Sequence, residues 1–406
     1  MCKIKNKDSA LSLLVVLLLW FFFFGCETAP TSAPIMESSG DAEFAKLLES
    51  IRVKGDLPAV FGAVIINGEI YATAAIGTRK IGTDNWVTVD DKFNFGSCGK
   101  AFSATLVGIL VEEGLLEWHT TLKDVFPDII MLPEYEPITL VQLLSHRAGL
   151  PKNFIADLAE DRPATPKGGR LQYVEQIVKT KLNNPPGQVM HYSNAGYVIA
   201  GAMIEKITDR TFEDLMSEKL YKPLKIKDAG WVAPAELEPD TQPWGHVVKS
   251  WSYKPVRKDH NLWLDPAGGN CMTSRDWAKF ILQNMYVDPT NRQTIISPKT
   301  KKRLHTPPDT VPWKYDDQYF KIWEKLIGWP ITSANYALGW YDLKNKEGET
   351  VLHHGGATKS FIADVYLSPI YGNGVLLATN ARTSHVPLYE GVKRINARYS
   401  LKIGLP

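Results

Sequence analysis

Hydrophobic positions follow helix or strand spacing along most of the chain, and the strand-like runs gather near its two ends. The first periodic segment, Asp41 to Lys54, has its apolar residues at helical spacing and predicts a helix that begins near Asp41. Two β-rich runs follow, Val60 to Ile66 and Glu69 to Ile76, and Asn67-Gly68 separates them. Because Asn-Gly is favoured in two-residue turns, these runs predict a β-hairpin.

The middle of the chain is predicted to be mostly helical. Ala101 to Glu113 is an apolar segment with helical spacing. Further helices are predicted over Thr139 to Leu144, Leu171 to Leu182, Asn194 to Ile207, Phe212 to Leu220, Arg275 to Met285 with Ser274 as its cap, and a segment that starts at Ser297-Pro298.

The last seventy residues turn β-rich again. Strands are predicted over Tyr336 to Leu343, Val351 to His354, Phe361 to Leu367 and Gly374 to Thr379, followed by a closing helix over Tyr389 to Tyr399. Strands at both ends with helices between them favour an α+β fold, an α/β sandwich with one antiparallel sheet. We expect that sheet to be flanked by helices and to carry an inserted, mostly helical lobe. The cleft between the two lobes is then the expected ligand site.

The N-terminus is typical of a targeting segment. Lys3, Lys5 and Lys7 precede an apolar run from Ala10 to Gly25, which is short for a membrane-spanning helix. A small residue followed by Cys26 resembles a bacterial lipoprotein signal, so we expect Cys26 to be lipidated. An uncleaved anchor is the alternative, and either one predicts a secreted or periplasmic protein held at a membrane.

These patterns divide the chain into three parts. Residues 1–25 are interpreted as a signal peptide and residues 26–40, rich in Pro, Ser, Thr and Ala, as a linker. Residues 41–406 are expected to form one large domain, with a sheet lobe at about 41–96 and 335–406 and a helical lobe at about 97–334.

Composition excludes several classes of function. The formal net charge is only +2, and the chain has no basic footprint for nucleic acid. Beyond Cys2 and Cys26 only Cys98 and Cys271 remain, too few for a disulfide framework in so long a chain. No ligand spacing suggests a metal, and no glycine-rich phosphate loop suggests a nucleotide cofactor. We therefore expect neither a metal nor an organic cofactor.

The stretch around Ser97 and Lys100 carries the main candidate chemistry. An extended segment reaches Gly96, and the apolar helix begins directly after the motif, so Ser97 is expected in the first helical turn, where free N–H groups favour negative charge. At a spacing of three residues the Lys100 amine reaches the Ser97 hydroxyl and, once desolvated, can act as its base. An N-cap serine beside a surface lysine is the structural alternative, and Cys98 is a second possible nucleophile.

Two further motifs offer partners for Ser97. Tyr192 and Asn194 lie two residues apart before a helix, where a phenol and an amide point the same way. His354 to Ala357 carries two glycines that allow close approach to a strand, and the Ala357 N–H can join the Ser97 N–H in binding an oxyanion. Considered singly, each motif also has a structural explanation. The first can be a buried tyrosine at the start of a helix, and the second a β-bulge beside a histidine whose hydrogen bonds are all made within the protein.

Other stretches fit structural roles at least as well as catalytic ones. His146 lies in the loop Leu143 to Pro151, where structural hydrogen bonds are the favoured interpretation. The aromatic stretches Gln242 to His246 and Trp263 to Pro266 are candidates for pocket lining or for ordinary packing.

Taken in order, these motifs resemble those of the serine β-lactamase and penicillin-binding-protein superfamily. The resemblance is to its class C-like branch, which includes D-alanyl-D-alanine peptidases and family VIII carboxylesterases, and it covers roughly residues 45–400. Five matches carry it: Ser97-x-x-Lys100, Tyr192-x-Asn194, His354-x-Gly356, the loop Leu143 to Pro151, and Pro266 to Gly269.

The resemblance implies a role for each motif residue. Ser97 would be the nucleophile, and Lys100 and Tyr192 would share the acid–base work without an assignment between them. Asn194 would position substrate and lysine. The Ser97 and Ala357 N–H groups would hold the oxyanion beside Gly356, and His354 would support Tyr192 or bind a substrate carboxylate.

Two departures bear on the substrate. Many β-lactamases carry lysine where this chain has His354, and a neutral imidazole attracts a carboxylate only weakly. Relatives usually have glycine before the phenylalanine of the third motif, but here the residues are Lys359-Ser360-Phe361. We therefore predict a serine hydrolase of esters or small amides. The alternatives are a D,D-peptidase or β-lactamase acting on D-Ala-D-Ala peptides or β-lactams, and a non-catalytic binding module.

Overall fold

The computed structural model describes residues 42–151, 154, 166–231, 233–249, 252–259, 262–288, 290–308, 333–344 and 347–403. All of them belong to one compact unit that spans residues 35–406. The predicted signal peptide, linker and lipidation site at Cys26 lie outside the described residues. Within the ranges above, no helix is both long and apolar enough to cross a membrane.

Twelve α-helices and twelve strands are found in the described residues. The helices are α1 Ala42–Lys54, α2 Gly99–Glu112, α3 Leu122–Val125, α4 Leu140–Leu144, α5 Pro166–Ile177, α6 Asn194–Thr208, α7 Phe212–Met216, α8 Pro234–Leu237, α9 Asp265–Gly268, α10 Ser274–Leu282, α11 Pro298–His305 and α12 Val386–Tyr399. The strands are β1 Ala59–Ile66, β2 Glu69–Gly77, β3 Phe93–Asn94, β4 Gly245–Lys249, β5 Ser252–Val256, β6 Cys271–Met272, β7 Ser333–Tyr336, β8 Tyr341–Lys344, β9 Thr350–Ala357, β10 Ile362–Ser368, β11 Asn373–Thr379 and β12 Ala381–Arg382.

The main sheet is antiparallel and is built from both ends of the chain, which confirms the predicted fold class. Its seven strands run in the order β2-β1-β11-β10-β9-β8-β7. The N-terminal hairpin joins the C-terminal strands through β1 and β11, where Val60 pairs with Thr379 and Ile65 with Gly374. The predicted Asn67-Gly68 turn lies between β1 and β2.

Both faces of the sheet are covered, because β1 is apolar on both of its sides. Val60 and Val64 belong to the core on the side of α1 and α12. Phe61, Ala63 and Ile65 belong to the larger core that includes α2. The alternation of strand side chains therefore makes β1 a shared wall of two cores.

The central segment is less purely helical than predicted. β4 and β5 form a hairpin there, and β4 pairs in parallel with β12 from the end of the chain. β5 contains Pro255 and the strands are short, so the local pattern is weak. β12, the partner of β4, lies far away in sequence, so the local pattern of residues does not reveal this pairing.

Several predicted boundaries also differ from the structure. The single strand predicted over Tyr336 to Leu343 is two strands, β7 and β8, because the chain reverses where the Ala337 N–H donates to Trp340 O at 2.8 Å. The cap of α10 is Thr273 rather than Ser274, since Thr273 Oγ1 accepts the Asp276 N–H. Helix α5 begins and ends five residues before the predicted segment.

Candidate active site

The Ser97 turn, defined as residues 95–98, lies between β3 and α2. Asn94 Oδ1 accepts the Gly96 N–H at 2.8 Å and fixes the start of the turn. Gly96–Cys98 is a 3₁₀ turn, and α2 starts at Gly99, so Ser97 precedes the α-helix instead of lying in its first turn. The first eleven residues of α2 after Gly99 are all buried, which anchors this turn in the middle of the protein.

Lys100 is fully buried, with 0% of its surface exposed. Its Nζ lies 3.0 Å from Ser97 Oγ, 2.8 Å from Asn194 Oδ1 and 2.6 Å from Ala267 O. Burial lowers the pKa of Lys100 to about 7, so a substantial share of the amine is neutral near neutral pH.

The three partners of Lys100 Nζ fit a neutral amine that is ready to accept a proton. A neutral amine has two N–H donors and one lone pair. The carbonyl oxygens of Asn194 and Ala267 are pure acceptors and take the two N–H groups. The lone pair is then left for the Ser97 hydroxyl proton, which is the arrangement that a general base requires.

Three separate elements bring these atoms together. Asn194 is the first residue of α6, and Ser193 takes the N-cap position before it. Ala267 lies in the short helix α9, which packs against both α2 and α6. Part of the Pro266 to Gly269 run therefore lies in α9. Its Ala267 carbonyl accepts a hydrogen bond from Lys100 on α2.

Tyr192 lies beside the Lys100 amine in a group of aromatic rings. Its ring centroid is 5.0 Å from Lys100 Nζ and 4.1 Å from the His146 ring. His146 is buried, and its Nδ1 accepts the Ser193 N–H at 3.2 Å. Burial, with a smaller effect of the charge on Lys100, keeps the pKa of His146 well below its usual value. This neutral imidazole supports the Tyr192 segment, as the structural interpretation of His146 expects.

His354 does not line the cavity around Ser97, and both of its expected roles, support of Tyr192 or contact with a substrate carboxylate, stay predictions. It is 1% exposed, with Nδ1 2.7 Å from Gly355 O and Nε2 2.9 Å from the Tyr336 hydroxyl. Because a carbonyl only accepts, Nδ1 carries the proton and Nε2 accepts from Tyr336. Burial lowers the pKa of His354 to about 3, and the Lys100 charge adds to this effect. The imidazole is therefore neutral and contacts Tyr336 instead of the cavity.

Strand β9 runs past the Ser97 turn with one edge free. The Thr358 N–H donates to Phe361 O at 3.0 Å, and antiparallel pairs alternate between bonded and non-bonded. Ala357 and Ile362 are thus the non-bonded pair, so the Ala357 N–H points away from β10. On that other side β8 pairs only as far as His353, which leaves the Ala357 N–H directed towards the Ser97 turn.

Gly356 allows this close approach. A Cβ at Gly356 would lie 1.9 Å from Phe95 O and 2.9 Å from the Ser97 nitrogen, so a larger residue would push the strand off the turn. Ser97 and Ala357 are consequently held close together, and both line the cavity at this site.

The described residues around Ser97 enclose a cavity of about 190 Å³. Among those that line it, Asp259 and Lys359 carry charge, and Lys359 is exposed at the rim. Of the two aromatic stretches considered as lining, only Leu264 borders the cavity. His246 is fully buried between Asn380 O and the Ile81 N–H. Its segment therefore contributes to internal packing and does not line the cavity.

Cys98, the second possible nucleophile, does not line this cavity. The Cys98 thiol is buried against His354 O at 3.3 Å, and burial raises its pKa well above the usual value, so it is a poor nucleophile. Within the part of the chain that the structure describes, no group of three or more His, Cys, Asp or Glu residues is arranged to hold a metal ion.

Three groups at this site were given no role in the sequence analysis. They are the Ala267 carbonyl that holds Lys100, the Tyr336 hydroxyl that holds His354, and Asp259 at the cavity rim. The Pro266 to Gly269 run signalled the first. The other two lie outside any recognisable local pattern.

A family model described as Beta-lactamase matches residues 44–396 of this chain. The chain is 22% identical over 358 residues to Protein flp of Staphylococcus aureus (strain N315), which covers 87% of this chain and 65% of that protein. It is 25% identical over 374 residues to Unguisins hydrolase ungD' of Aspergillus campestris (strain IBT 28561), covering 87% of this chain and 64% of that protein. The chain thus spans less than two thirds of the length of these curated relatives.

Solved structures show the same fold. The octameric penicillin-binding protein homologue from Pyrococcus abyssi superposes with a TM-score of 0.71 and 20% identity, covering 90% of this chain and 79% of that chain. A crystal structure of SurE gives a TM-score of 0.71 and 21% identity, covering 90% and 77%.

Proposed function

The chain belongs to the beta-lactamase family, and we propose that it is a serine hydrolase that cleaves neutral carboxylic esters or small amides through an acyl-enzyme on Ser97. The observation that carries the proposal is the buried Lys100 amine 3.0 Å from the Ser97 hydroxyl. Its pKa, lowered to about 7 by burial, suits a base that works near neutral pH.

Acylation follows from this geometry. The Ser97 Oγ–H proton passes to the neutral Lys100 amine while Oγ attacks the substrate carbonyl carbon. The carbonyl oxygen becomes negative and is stabilised by the N–H groups of Ser97 and Ala357. When the tetrahedral intermediate collapses, the leaving alkoxide or amine takes a proton from the Lys100 and Tyr192 pair. Deacylation repeats these steps with water as the nucleophile.

Asn194 and Ala267 hold the Lys100 amine in the orientation that proton transfer from Ser97 requires. Their oxygen atoms accept the two N–H groups of the neutral amine at 2.8 and 2.6 Å, which directs its lone pair towards Ser97. Tyr192 lies beside the lysine, with its ring centroid 5.0 Å from Nζ. Tyr192 therefore fits the proton donor of the second half of acylation.

The preference for neutral substrates rests on charge. His354, which stands where many β-lactamases have lysine, is neutral and turned towards Tyr336. It offers no cation to a substrate carboxylate inside the cavity. The volume of about 190 Å³ in the described part suits a small acyl group.

The test compares initial rates of the purified full-length protein on p-nitrophenyl butyrate and on a chromogenic cephalosporin. We expect fast ester turnover and little cephalosporin turnover, and no turnover of either by Ser97→Ala. If Ser97→Ala keeps the wild-type rate, the nucleophile is misassigned. If the cephalosporin is the better substrate, the neutral-ester proposal is wrong.

A second candidate is a D,D-peptidase or β-lactamase, and the observation that favours it is Lys359. Its exposed ammonium group lies at the cavity rim and can attract the carboxylate of a peptide or a β-lactam. Lys359→Gln distinguishes the two, because it should lower kcat/KM for the cephalosporin and leave the neutral ester unaffected.

We further propose that the protein is exported and anchored through a lipidated Cys26. The basic residues, the apolar run and the Gly25-Cys26 pair support this. Metabolic labelling with an alkyne fatty acid should tag the wild type and not Cys26→Ala; equal labelling of both would remove the lipoprotein assignment.

A further inference from the structure

Asp259 reaches a hairpin about one hundred residues later in the chain and accepts hydrogen bonds from four donors of its turn. That turn, residues 358–361, joins β9 to β10. Asp259 Oδ1 accepts the Lys359 N–H at 2.9 Å, and Oδ2 accepts the Ser360 N–H at 2.7 Å. The hydroxyl groups of Thr358 and Ser360 also donate to Oδ2. A carboxylate with four donors from one short turn fixes the conformation of that turn.

Ser360 is fitted to this carboxylate. It is fully buried, and a Cβ at Gly245 would lie 1.9 Å from Ser360 Oγ, so strand β4 must present a glycine to make room for the hydroxyl. The His246 N–H donates to Ser360 O at 3.2 Å and ties β4 to the same turn. The serine that replaces the glycine of related sequences is therefore accommodated by Gly245 and held by Asp259.

The turn directly follows the residue that borders Ser97. Ala357 precedes Thr358, and a Cβ on Gly96 would lie 2.5 Å from the Ala357 nitrogen, so β9 and the Ser97 turn are in tight contact. A shift of the β9–β10 turn by a fraction of an ångström would move the Ala357 N–H away from its place beside the Ser97 hydroxyl.

We propose that Asp259 is a positioning residue: it clamps the β9–β10 turn and thereby holds the Ala357 N–H in the geometry that binds the oxyanion. This rests on the proposed serine hydrolase function. The clamp does not touch the reacting atoms. It acts on the rate through the position of one N–H group, and oxyanion donors act mainly in the transition state.

The test uses Asp259→Asn, which keeps the size of the side chain but loses an acceptor that four donors require. The matched control is Asp240→Asn, which removes the same charge from an exposed aspartate. We expect Asp259→Asn to lower kcat for p-nitrophenyl butyrate about 10- to 100-fold with KM changed less than about threefold. Asp240→Asn should leave both values at the wild-type level.

A tetrahedral probe separates positioning from general damage. Phenylboronic acid forms a covalent adduct on the serine oxygen, and one boron-bound oxygen then occupies the oxyanion position. In Asp259→Asn its inhibition constant should rise by about the factor by which kcat/KM falls. Ser360→Gly keeps both backbone donors, so it should lose less than about fivefold.

Hydrogen exchange reports on the clamp without any turnover. Peptides that cover residues 357–361 should exchange faster in Asp259→Asn than in the wild type, while peptides from α2 should not change. Unchanged exchange in the turn would overturn the clamp. Faster exchange with unaltered kcat and boronate affinity would make Asp259 a structural residue only. A wild type that turns over no ester and binds no boronate would instead refute the proposed function, and with it the role of the clamp in catalysis.

Discussion

At the scale of single residues, the protonation state of Lys100 decides whether Ser97 is activated. Its amine is surrounded by oxygen atoms and lies in a fully buried position. The Ser–Lys motif predicts the meeting of the two side chains. The identity of the two acceptors that orient the amine depends on how α6 and α9 pack on α2, which spacing alone does not encode.

The first prediction concerns pH. Because the base is the neutral amine and its pKa is about 7, kcat/KM for a neutral ester should rise with pH and level off above about pH 7. Below this value the rate should fall about tenfold per pH unit. A profile that is flat between about pH 5 and pH 8 would contradict Lys100 as the base.

Asn194→Asp serves as the companion variant. A carboxylate 2.8 Å from Lys100 Nζ would favour the ammonium form and raise the lysine pKa. The rise of kcat/KM with pH should therefore occur at a higher pH than in the wild type. This shift is the quantity to measure, because a loss of substrate binding would lower kcat/KM without moving the pH at which it rises.

The second prediction concerns stability. A lysine pKa lowered from 10.5 to about 7 means that the fold disfavours the ammonium by about 5 kcal/mol. Lys100→Met removes this penalty but also the hydrogen bonds to Asn194 and Ala267, so we expect a net gain of about 1–3 kcal/mol in the free energy of unfolding near pH 6.

The sign of the pH dependence follows from proton binding. Between pH 7 and 10.5 the unfolded chain binds the lysine proton and the folded protein does not, so wild-type stability increases with pH across this window. The advantage of Lys100→Met should therefore shrink above pH 7. Urea unfolding at about pH 6 and about pH 9 measures the change. An advantage of the same size at both pH values would show that Lys100 keeps its proton in the fold.

The orientation of the His354 side chain cannot be predicted from the residue type alone. The motif predicts an imidazole next to the two glycines, and the structure has it there. Its orientation, however, is set by the Tyr336 hydroxyl at 2.9 Å, on a strand that belongs to a different hairpin. Since that partner is 18 residues away and carries no motif, the sequence does not tell whether the imidazole faces the cavity or the core.

At the scale of elements, α5, α6 and α7 are joined by one buried arginine. Arg170 on α5 donates to Glu205 on α6 at 2.5 and 3.0 Å, and to Glu213 on α7 at 2.9 and 3.0 Å. Asp265, the first residue of α9, lies in the same cluster, and burial, with a hydrogen bond to Glu213, raises its pKa well above the usual value. This cluster therefore supports the helix that presents Ala267 O to Lys100.

The third prediction follows from that cluster. Arg170→Met would leave the carboxylates of Glu205 and Glu213 without their shared cation, and we expect a loss of about 3–5 kcal/mol in the free energy of unfolding. Lys167→Met, on the same helix, breaks an exposed ion pair with Asp209 and should cost less than about 1 kcal/mol. Equal losses in urea unfolding would show that the arginine cluster contributes little beyond a surface pair.

Elements with strong local signals are the ones predicted correctly. The β1–β2 hairpin has an Asn-Gly turn, and α11 begins with Ser297-Pro298, whose serine caps the helix. Two features that lack a local signal and depend on distant residues are missed. β4 pairs with β12 more than one hundred residues later, and Asp259 binds a turn that is equally remote.

At the scale of the whole molecule, both ends of the chain build one sheet, and β1 separates two cores. The order of strand-like and helix-like segments is enough to predict the sheet, because strands at both ends must pair to cover their edges. The predicted boundary between a sheet lobe and a helical lobe is not tested by the fold itself and stays a prediction. The middle segment also contributes strands, as β4 to β6 show.

The fourth prediction concerns cooperativity. Because β1 belongs to both cores, damage to one core should unfold the other. Leu388→Ala on α12, a fully buried position on the side away from Ser97, should lower the free energy of unfolding by about 2–5 kcal/mol. Loss of ester hydrolysis and loss of far-UV circular dichroism should keep the same midpoint in this variant. Separate midpoints would mean that the two cores melt independently.

The pairing of β1 with β11 also sets when the protein is able to fold. Val60 pairs with Thr379, and at about 5–20 residues per second a ribosome needs roughly a quarter of a minute to one minute to synthesise the chain between them. Until then the N-terminal hairpin has no neighbour on one side, and neither core is closed. A nascent chain whose central sheet is completed only by its last strands therefore cannot close either core until synthesis is nearly finished.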